Sequence, residues 1–233
     1  MKTIGLIGGM SWESTQTYYR IVNERVNGAL GGYHSAKILL YSVDFAEVEA
    51  EQRKEDWTAV GELLADAARR LECGGADFVL LGTNTMHKSC AQIEEAIRVP
   101  FIHIADATAD AALAAGYARV ALLGTRYTME QDFYRERLRA RGLQVDIPTP
   151  EEREMLHRVI FDELCFGRVL PQSREAYLRV IRRMADAGAQ AAILGCTEIG
   201  MLVSQTDTPV PLLDTTVVHA EKAARLALGL EKA

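Results

Sequence analysis

Short apolar runs alternate along the chain with longer stretches in which apolar residues recur every three or four positions. The short runs predict strands, and they are TIGLIGG, AKILLYSVDF, DFVLLG, PFIHIA, RVALLG, AAILG and VPLLD. Because the runs are nearly continuous, they are typical of parallel strands that are buried on both faces. The longer stretches predict amphipathic helices, and they are ESTQTYYRIVNERVNGALGG, WTAVGELLADAARRLECGG and EAYLRVIRRMADAGA. This alternation predicts an α/β fold with doubly wound parallel sheets.

Three strand motifs occur twice in the same order. TIGLIGG at 3–9 corresponds to RVALLGT at 119–125, GADFVLLGT at 75–83 to GAQAAILGC at 188–196, and VPFI at 99–102 to VPLL at 210–213. The offsets are nearly constant at 116, 113 and 111 residues (119 − 3, 188 − 75 and 210 − 99). The repetition therefore predicts two pseudo-symmetric halves, one formed by residues 1–98 plus 209–233 and the other by residues 99–208.

The duplication places Thr83 and Cys196 at matching positions, each directly after a strand. In parallel α/β sheets, ligands bind beyond the carboxyl ends of the strands. We therefore expect the active site in the cleft between the two halves, with a threonine on one side and a thiol on the other.

Composition and charge narrow the class of partner. The chain has 233 residues, of which 48% are hydrophobic and 25% charged, and its net charge is −6. No cluster of Lys and Arg stands out, so nucleic-acid binding is not expected. No apolar segment approaches the roughly 20 residues needed to cross a bilayer, and the start of the chain is not a convincing signal peptide. We therefore expect a cytoplasmic protein that does not bind membranes.

The four cysteines are Cys73, Cys90, Cys165 and Cys196, and they show no CxxC or Cys/His metal spacing. Free thiols and no metal site are expected in a reducing compartment. A thiolate is a strong base and nucleophile, whereas a buried structural thiol is neither. Polar Thr197 and Glu198 follow Cys196 just before a predicted helix, whose N-terminus is expected to lower the thiol pKa.

The opposite corner carries Thr83, Asn84 and Thr85, whose hydroxyl, amide and backbone N–H groups suit a carboxylate. A lone cysteine in an apolar run is often only a small core residue. The duplication and the polar flanks favour a functional role for Cys196.

These residues carry a family resemblance. GLIGGMSWEST, TNTMHK, HIADAT, GTRYTM and GCTEIGML stand in the order and spacing found in the cofactor-independent aspartate/glutamate racemase superfamily, and the similarity covers essentially the whole chain. The resemblance implies an amino-acid racemase that uses neither pyridoxal phosphate nor metal. It also implies a small amino-acid substrate and a homodimer, as is common among relatives.

In that family, one cysteine of each half faces the substrate Cα, one taking the α-proton and the other returning a proton to the opposite face. By motif match, Cys196 is the second-half cysteine and acts on the L-enantiomer. Thr83 stands where most relatives have the first-half cysteine. A threonine hydroxyl is a poor base, so Cys196 is expected to abstract the proton and the Thr83 side to deliver one.

The resemblance implies further substrate-binding residues, with Thr125 as an additional candidate beside them: Met10, Gln52, Asn84, Thr85 and Thr197. Glu198 either polarises Cys196 or binds the substrate amine. Cys165 stands where some aspartate racemases use a lysine, which leaves specificity for an acidic side chain open between L-aspartate, L-glutamate and a broader set.

Several other residues are expected to support the fold. His87 and His103 either orient a thiol, act as proton relays or, as expected here, are structural. His157 and His219 are expected at the surface or in support, Tyr18 and Tyr19 are expected to pack on a helix, and Cys73, Cys90 and Cys165 are expected to be structural.

Two other functions remain open from the sequence. With a single corner cysteine, the chain also resembles one-cysteine decarboxylases and cis–trans isomerases of the same superfamily. Alternatively, it is an amino-acid-binding protein that lost turnover together with its first cysteine.

Overall fold

A computed structural model describes residues 1–232, which divide into two compact units. The first unit comprises Met1–Ile104 together with the segment from His219 onward, and the second comprises Ala105–Val218. The chain therefore passes from one unit to the other after Ile104 and after Val218.

The first unit contains four strands, four α-helices and a 3₁₀ turn in its N-terminal segment. In chain order these are β1 (Ile4–Gly8), α1 (Trp12–Leu30), β2 (Ile38–Ser42), α2 (Phe45–Arg53), α3 (Trp57–Cys73), β3 (Phe78–Leu81), the 3₁₀ turn Thr85–Ser89, α4 (Cys90–Ala96) and β4 (Phe101–Ile102). Local chemistry sets the helix starts: the side chains of Ser11 and Asp56 accept from the backbone N–H groups of Ser14 and Ala59.

The second unit repeats this plan with additional helices, and a helix spans each crossing of the chain. The elements are α5 (Ile104–Ala114), β5 (Arg119–Gly124), α6 (Arg126–Glu130), α7 (Asp132–Ala140), β6 (Gln144–Asp146), α8 (Pro150–Asp162), the 3₁₀ turn Leu164–Phe166, α9 (Pro171–Asp186), β7 (Ala191–Gly195), α10 (Ile199–Leu202), the 3₁₀ turn Gln205–Asp207, β8 (Leu212–Asp214) and α11 (Thr215–Ala227). Helix α8 opens with a capping box, in which the Thr149 side chain and the Glu152 side chain each accept from the other residue's backbone N–H.

Each unit is built on a four-stranded parallel sheet, with strand order β2-β1-β3-β4 in the first unit and β6-β5-β7-β8 in the second. The predicted α/β class, the parallel sheets and the duplication are confirmed by these matching orders. In register, Ile4 pairs with Ile38 and Phe78, and Gly124 pairs with Gly195.

The sequence-based division of the strands differs from the structure at both crossings. The predicted ranges, 1–98 plus 209–233 and 99–208, assign β4 to the second half and β8 to the first. In the structure β4 pairs with β3, and β8 pairs with β7. The reason is that a parallel strand following a short helical connection adds to the sheet it has just left, because the crossover packs back onto that sheet. The chain changes unit one element later.

Two strands also depart from the predicted pattern. Strand β6 is short and partly polar (Gln144–Asp146), so its sequence carries no apolar run to reveal it. Strand β2 lies at the edge of its sheet and is only half-buried, whereas the sequence predicts burial on both faces.

Each unit buries its own apolar core between sheet and helices. In the first unit Ile7, Val79 and Leu81 of the sheet pack with Leu64 of α3. In the second unit Leu123 and Leu194 pack with Leu156 of α8 and Ile181 of α9. Within residues 1–232, every helix is too short or too polar to cross a membrane.

Candidate active site

The first corner follows β3, and its three polar residues are all buried. Thr83, Asn84 and Thr85 lead from the strand into the 3₁₀ turn Thr85–Ser89. The strand end is tied to its neighbour because Gly82 N donates to Ile7 O of β1 at 2.8 Å. The sheet therefore holds this corner at the carboxyl edge, where the sequence predicts it.

Met10 and Gln52 belong to the same unit as this corner. Met10 follows β1, the strand next to β3, so it extends from the same edge of the sheet. Gln52 lies on α2, which follows β2, the other neighbour of β1. Both side chains are buried.

The second corner is formed by the ends of β5 and β7, which pair as far as Gly124 and Gly195. A side chain at Gly124 would come within 2.7 Å of the Gly195 carbonyl oxygen, so only glycine permits this close approach. Thr125 and Cys196 are the residues that follow the two glycines. The structure therefore brings these two predicted site residues to adjacent strand ends.

Thr125 also has a local structural task. Its side chain caps helix α6 by accepting from Thr128 N, and its hydroxyl lies 3.2 Å from the hydroxyl of Thr128. A capping side chain is held in one orientation, so Thr125 is a rigid part of the corner.

Cys196, Thr197 and Glu198 form one hydrogen-bonded group. The Cys196 thiol donates to Glu198 Oε2 at 2.9 Å, and the Thr197 hydroxyl donates to the same oxygen, also at 2.9 Å. All three residues are buried. The Glu198 carboxylate thus lies in direct contact with the sulfur, in a position to accept its proton.

The pKa of Cys196 moves in the direction opposite to the one predicted. Burial raises the pKa of the Cys196 thiol well above its ordinary value, and the neighbouring charge of Glu198 raises it further. The predicted helix dipole is weak here, because α10 has only four residues and begins at Ile199, three positions later. At rest Cys196 is therefore a protonated thiol.

Cys165 lies in the 3₁₀ turn Leu164–Phe166 and is half-buried against the apolar core that contains Cys196. A negative charge on Cys165 would also raise the pKa of Cys196. Cys165 thus belongs to the surroundings of the catalytic candidate. Cys73 is exposed and Cys90 is half-buried.

Three histidines are buried in the first unit: His87, His103 and His219. Of the two alternatives expected for His219, a surface position and a supporting role, the structure shows the supporting role, since its buried ring donates from Nε2 to Ile102 O at 2.8 Å and its Nδ1 accepts from Tyr18 OH at 2.8 Å. These bonds also explain the buried packing of Tyr18. Tyr19, by contrast, is 56% exposed, so its predicted packing is wrong. His157 is only half-buried.

Asp214 is the last residue of β8, and the sequence motifs do not identify it as a candidate site residue. It pairs in register with Leu194, two residues before Cys196. Its Oδ1 accepts from Thr216 N at 2.9 Å and Val217 N at 3.3 Å, and burial raises the pKa of its carboxyl. The duplication contains the signal that finds it, because Asp214 ends VPLLD as His103 ends VPFIH.

The described residues also bear on metal binding. Within residues 1–232 no three His, Cys, Asp or Glu side chains are grouped so that they could hold a metal ion. The two corners carry hydroxyl groups, an amide, a thiol and a carboxylate.

The structure thus combines a duplicated parallel α/β fold with polar strand-end corners, one of which holds a thiol against a carboxylate. Over residues 7–223 the chain matches the Asp/Glu/hydantoin racemase family and therefore belongs to it. The protein is accordingly an isomerase of the racemase class.

Three relatives illustrate this membership over nearly the full chain. A broad-specificity amino-acid racemase, RacX of Bacillus subtilis (strain 168), is 22% identical over 234 residues, covering 98% of this chain and 99% of the relative. The crystal structure of a candidate Asp/Glu racemase from Yersinia pestis is 52% identical with a TM-score of 0.92, covering 98% of this chain and 100% of that one. An aspartate racemase homologue from Pyrococcus horikoshii OT3 is 36% identical with a TM-score of 0.86, again covering 98% and 100% of the two chains.

Proposed function

We propose that this enzyme interconverts the enantiomers of an amino acid, L-aspartate, L-glutamate or a broader set, without pyridoxal phosphate. Cys196 takes the α-proton from one face of the substrate Cα, and the Thr83 side supplies a proton to the opposite face. The observation that carries this proposal is the 2.9 Å hydrogen bond from the Cys196 thiol to Glu198 in a chain of the racemase family.

The resting thiol must first lose its proton, because a buried thiol of raised pKa is no base. Glu198 Oε2 already accepts the hydrogen bond along which this proton would move. Proton transfer to Glu198 gives the Cys196 thiolate, which then takes the substrate α-proton: the Cα–H bond breaks and an S–H bond forms. Glu198 releases the proton it took to solvent, which balances the proton that the opposite corner recovers from solvent and restores the resting thiol and carboxylate.

The resulting carbanion is protonated from the other face. In this proposal the Thr83 hydroxyl donates that proton, directly or through water, and recovers it from solvent. Asn84, Thr85, Thr197, Met10 and Gln52 bind the substrate, as the family resemblance implies. A hydroxyl gives up and regains a proton less easily than a thiol, so the two directions of reaction run at different intrinsic rates.

The test is a chiral screen of L- and D-amino acids in heavy water, with the wild type, Cys196→Ser and a Cys73→Ser control. Cys73 is an exposed thiol, so its variant should behave as wild type. The wild type should incorporate deuterium at Cα and produce the opposite enantiomer. Cys196→Ser should lower turnover by roughly 10²–10⁴-fold, the usual contribution of a general base, while keeping its circular-dichroism spectrum.

Other outcomes identify the alternatives. Release of carbon dioxide from a malonate-type acid, without α-proton exchange of amino acids, would indicate a one-cysteine decarboxylase instead. Near-normal racemisation by Cys196→Ser would remove Cys196 from the mechanism.

A further inference from the structure

The three buried histidines of the first unit lie close together behind the Thr83 corner. The ring centroids of His87 and His103 are 4.3 Å apart, and those of His87 and His219 are 6.2 Å apart. Each ring is no more than 2% exposed. An unpaired buried polar group is costly, so the hydrogen bonds that hold His87 in this cluster indicate what the ring does there.

His87 is bonded to the backbone through both ring nitrogens. Its Nδ1 lies 2.7 Å from the carbonyl oxygen of Thr83, and its Nε2 accepts from the backbone N–H of Ile104 at 3.2 Å. A carbonyl only accepts and an N–H only donates, so the hydrogen-bond network assigns a neutral ring with its proton on Nδ1. Uptake of a second proton at Nε2 would require release of the Ile104 N–H.

The two bonds connect separate parts of the first unit. Thr83 follows β3, and Ile104 is the last residue of the first unit before the chain crosses. One buried side chain thereby joins the corner proposed for proton delivery to the end of the neighbouring strand β4.

The second corner lacks this arrangement. Cys196 matches Thr83 with an offset of 113 residues (196 − 83), and the same offset places Gly200 opposite His87 (87 + 113). A side chain at Gly200 would collide with the Asp214 carboxylate, so the second unit has no room for a side chain at the position that matches His87. The imidazole support is therefore specific to the corner that carries the threonine.

We infer that His87 is a positioning residue for the reaction: it holds the Thr83 backbone by its Nδ1–H bond and does not itself carry the transferred proton. The inference rests on the proposed role of Thr83. Since no side chain needs to ionise, the imidazole acts by fixing where the Thr83 hydroxyl points. Misplacement of a reacting group by about 1 Å can cost 10²-fold in rate.

Two substitutions separate the two bonds. In His87→Asn the amide nitrogen falls near the position of Nδ1 and can still donate to Thr83 O. In His87→Gln the amide group falls near the position of Nε2, so the bond to Thr83 O is lost while a partner for Ile104 N remains. His219→Gln is the matched control, because His219 is equally buried in the same unit and is bonded to Ile102 and Tyr18 instead of the corner.

Initial rates are measured from both pure enantiomers, and amide hydrogen exchange of a peptide spanning residues 80–90 is followed by mass spectrometry. We expect His87→Gln to lower kcat by about 10- to 100-fold with KM little changed, and to speed exchange of that peptide. His87→Asn should stay within about threefold of wild type on both measures. His219→Gln should lower Tm and leave the exchange of the 80–90 peptide unchanged.

The inference is overturned if His87→Asn and His87→Gln lower kcat equally and in proportion to the fall in Tm of each variant, which would indicate a purely structural histidine. It is equally overturned if neither variant changes the exchange of the peptide. Failure of the proposed function is a separate outcome: the wild type would then not racemise any amino acid tested, and the exchange measurement alone would decide the role of His87.

Discussion

The proton on Cys196 is the central feature at the scale of single residues. Burial and the carboxylate of Glu198 both stabilise the thiol over the thiolate. The same carboxylate oxygen accepts the thiol hydrogen bond at 2.9 Å. Glu198 thus opposes ionisation by its charge and at the same time provides the acceptor that makes proton removal possible.

This double role predicts that Glu198→Gln has two opposite effects. Removal of the negative charge lowers the pKa of Cys196, so carbamidomethylation of the Cys196 peptide, followed by mass spectrometry, should begin at lower pH than in the wild type. Because the amide cannot take the thiol proton, kcat should fall by about 10²-fold or more.

Glu163→Gln is the matched control for this variant. Glu163 is another carboxylate of the second unit, but its Oε2 accepts from the Ser173 hydroxyl at 2.6 Å. It should change neither the alkylation profile of Cys196 nor its kcat. A normal kcat in Glu198→Gln would mean that the thiol loses its proton by another route.

Thr83→Cys tests the other corner. A thiol is a far stronger acid than a hydroxyl, and each pKa unit of mismatch corresponds to about 1.36 kcal/mol. The substitution is nearly isosteric, and Thr83 is buried. We expect turnover of the D-enantiomer to rise by orders of magnitude while turnover of the L-enantiomer changes much less.

Initial rates at saturating concentrations of each pure enantiomer measure this effect. The equilibrium constant of a racemisation is fixed at one by the symmetry of the enantiomers, so kcat/KM stays equal in the two directions and only the ratio of the two kcat values can change. An unchanged ratio of the two kcat values would show that Thr83 does not face the Cα proton.

At the scale of elements, each corner depends on how closely the adjoining pieces approach one another. Helix α10 begins directly after Glu198, and its Gly200 lies under the carboxylate of Asp214, which caps α11 through Thr216 N and Val217 N. The position of α10 relative to the start of α11 therefore determines where the Glu198 side chain lies.

Gly200→Ala should disturb this packing. The added methyl group would collide with the Asp214 carboxylate, and overpacking of this kind typically costs about 1–3 kcal/mol. Urea denaturation should show the loss of stability, and kcat should fall with it because Glu198 is displaced.

Gly28→Ala provides the control for a glycine in a helix. Gly28 lies in α1, and a side chain there would meet no atom within 4 Å. Alanine favours the helix by up to about 1 kcal/mol over glycine, so this variant should be slightly stabilised. Equal effects of the two substitutions on stability would contradict the proposed contact between Gly200 and Asp214.

At the scale of the whole molecule, His219 joins the C-terminal segment to the N-terminal part of the first unit. Its ring bonds to Tyr18 of α1 and to Ile102 of β4. Burial lowers the pKa of His219 from its ordinary value of 6.5 to about 4. The unfolded chain therefore takes up a proton at this residue at a higher pH than the folded chain does.

This difference predicts a loss of stability in acid. The contribution of neutral His219 is present above about pH 6.5 and is lost as the pH falls towards about 4, and it corresponds to about 3 kcal/mol over that interval. Urea denaturation at a series of pH values should show this slope in the wild type. In His219→Gln the side chain at position 219 does not titrate, so the slope should be smaller. An identical slope would assign the loss of stability in acid to other groups.

The local sequence determined most of the strands, the two matching sheets and the positions of two candidate site residues. Apolar runs, four of which end in glycine, predicted seven of the strands, and their repetition predicted two matching sheets. The same pattern placed Thr83 and Cys196 at strand ends, because the carboxyl ends of parallel strands lie on one edge of a sheet. These features depend on short-range patterns of apolar and polar residues, which a single sequence displays directly.

Only the tertiary structure decided the remaining features, since they depend on contacts between distant segments and on burial. The sheet membership of β4 and β8 follows from strand pairing, and the edge strand β6 has too few apolar residues to be predicted. The raised pKa of Cys196 follows from burial and from the geometry of Glu198, which reverses the expectation based on the following helix. His87 bonds to Thr83 and to Ile104, 17 residues further along the chain, because the β3–β4 pairing brings the two strand ends side by side.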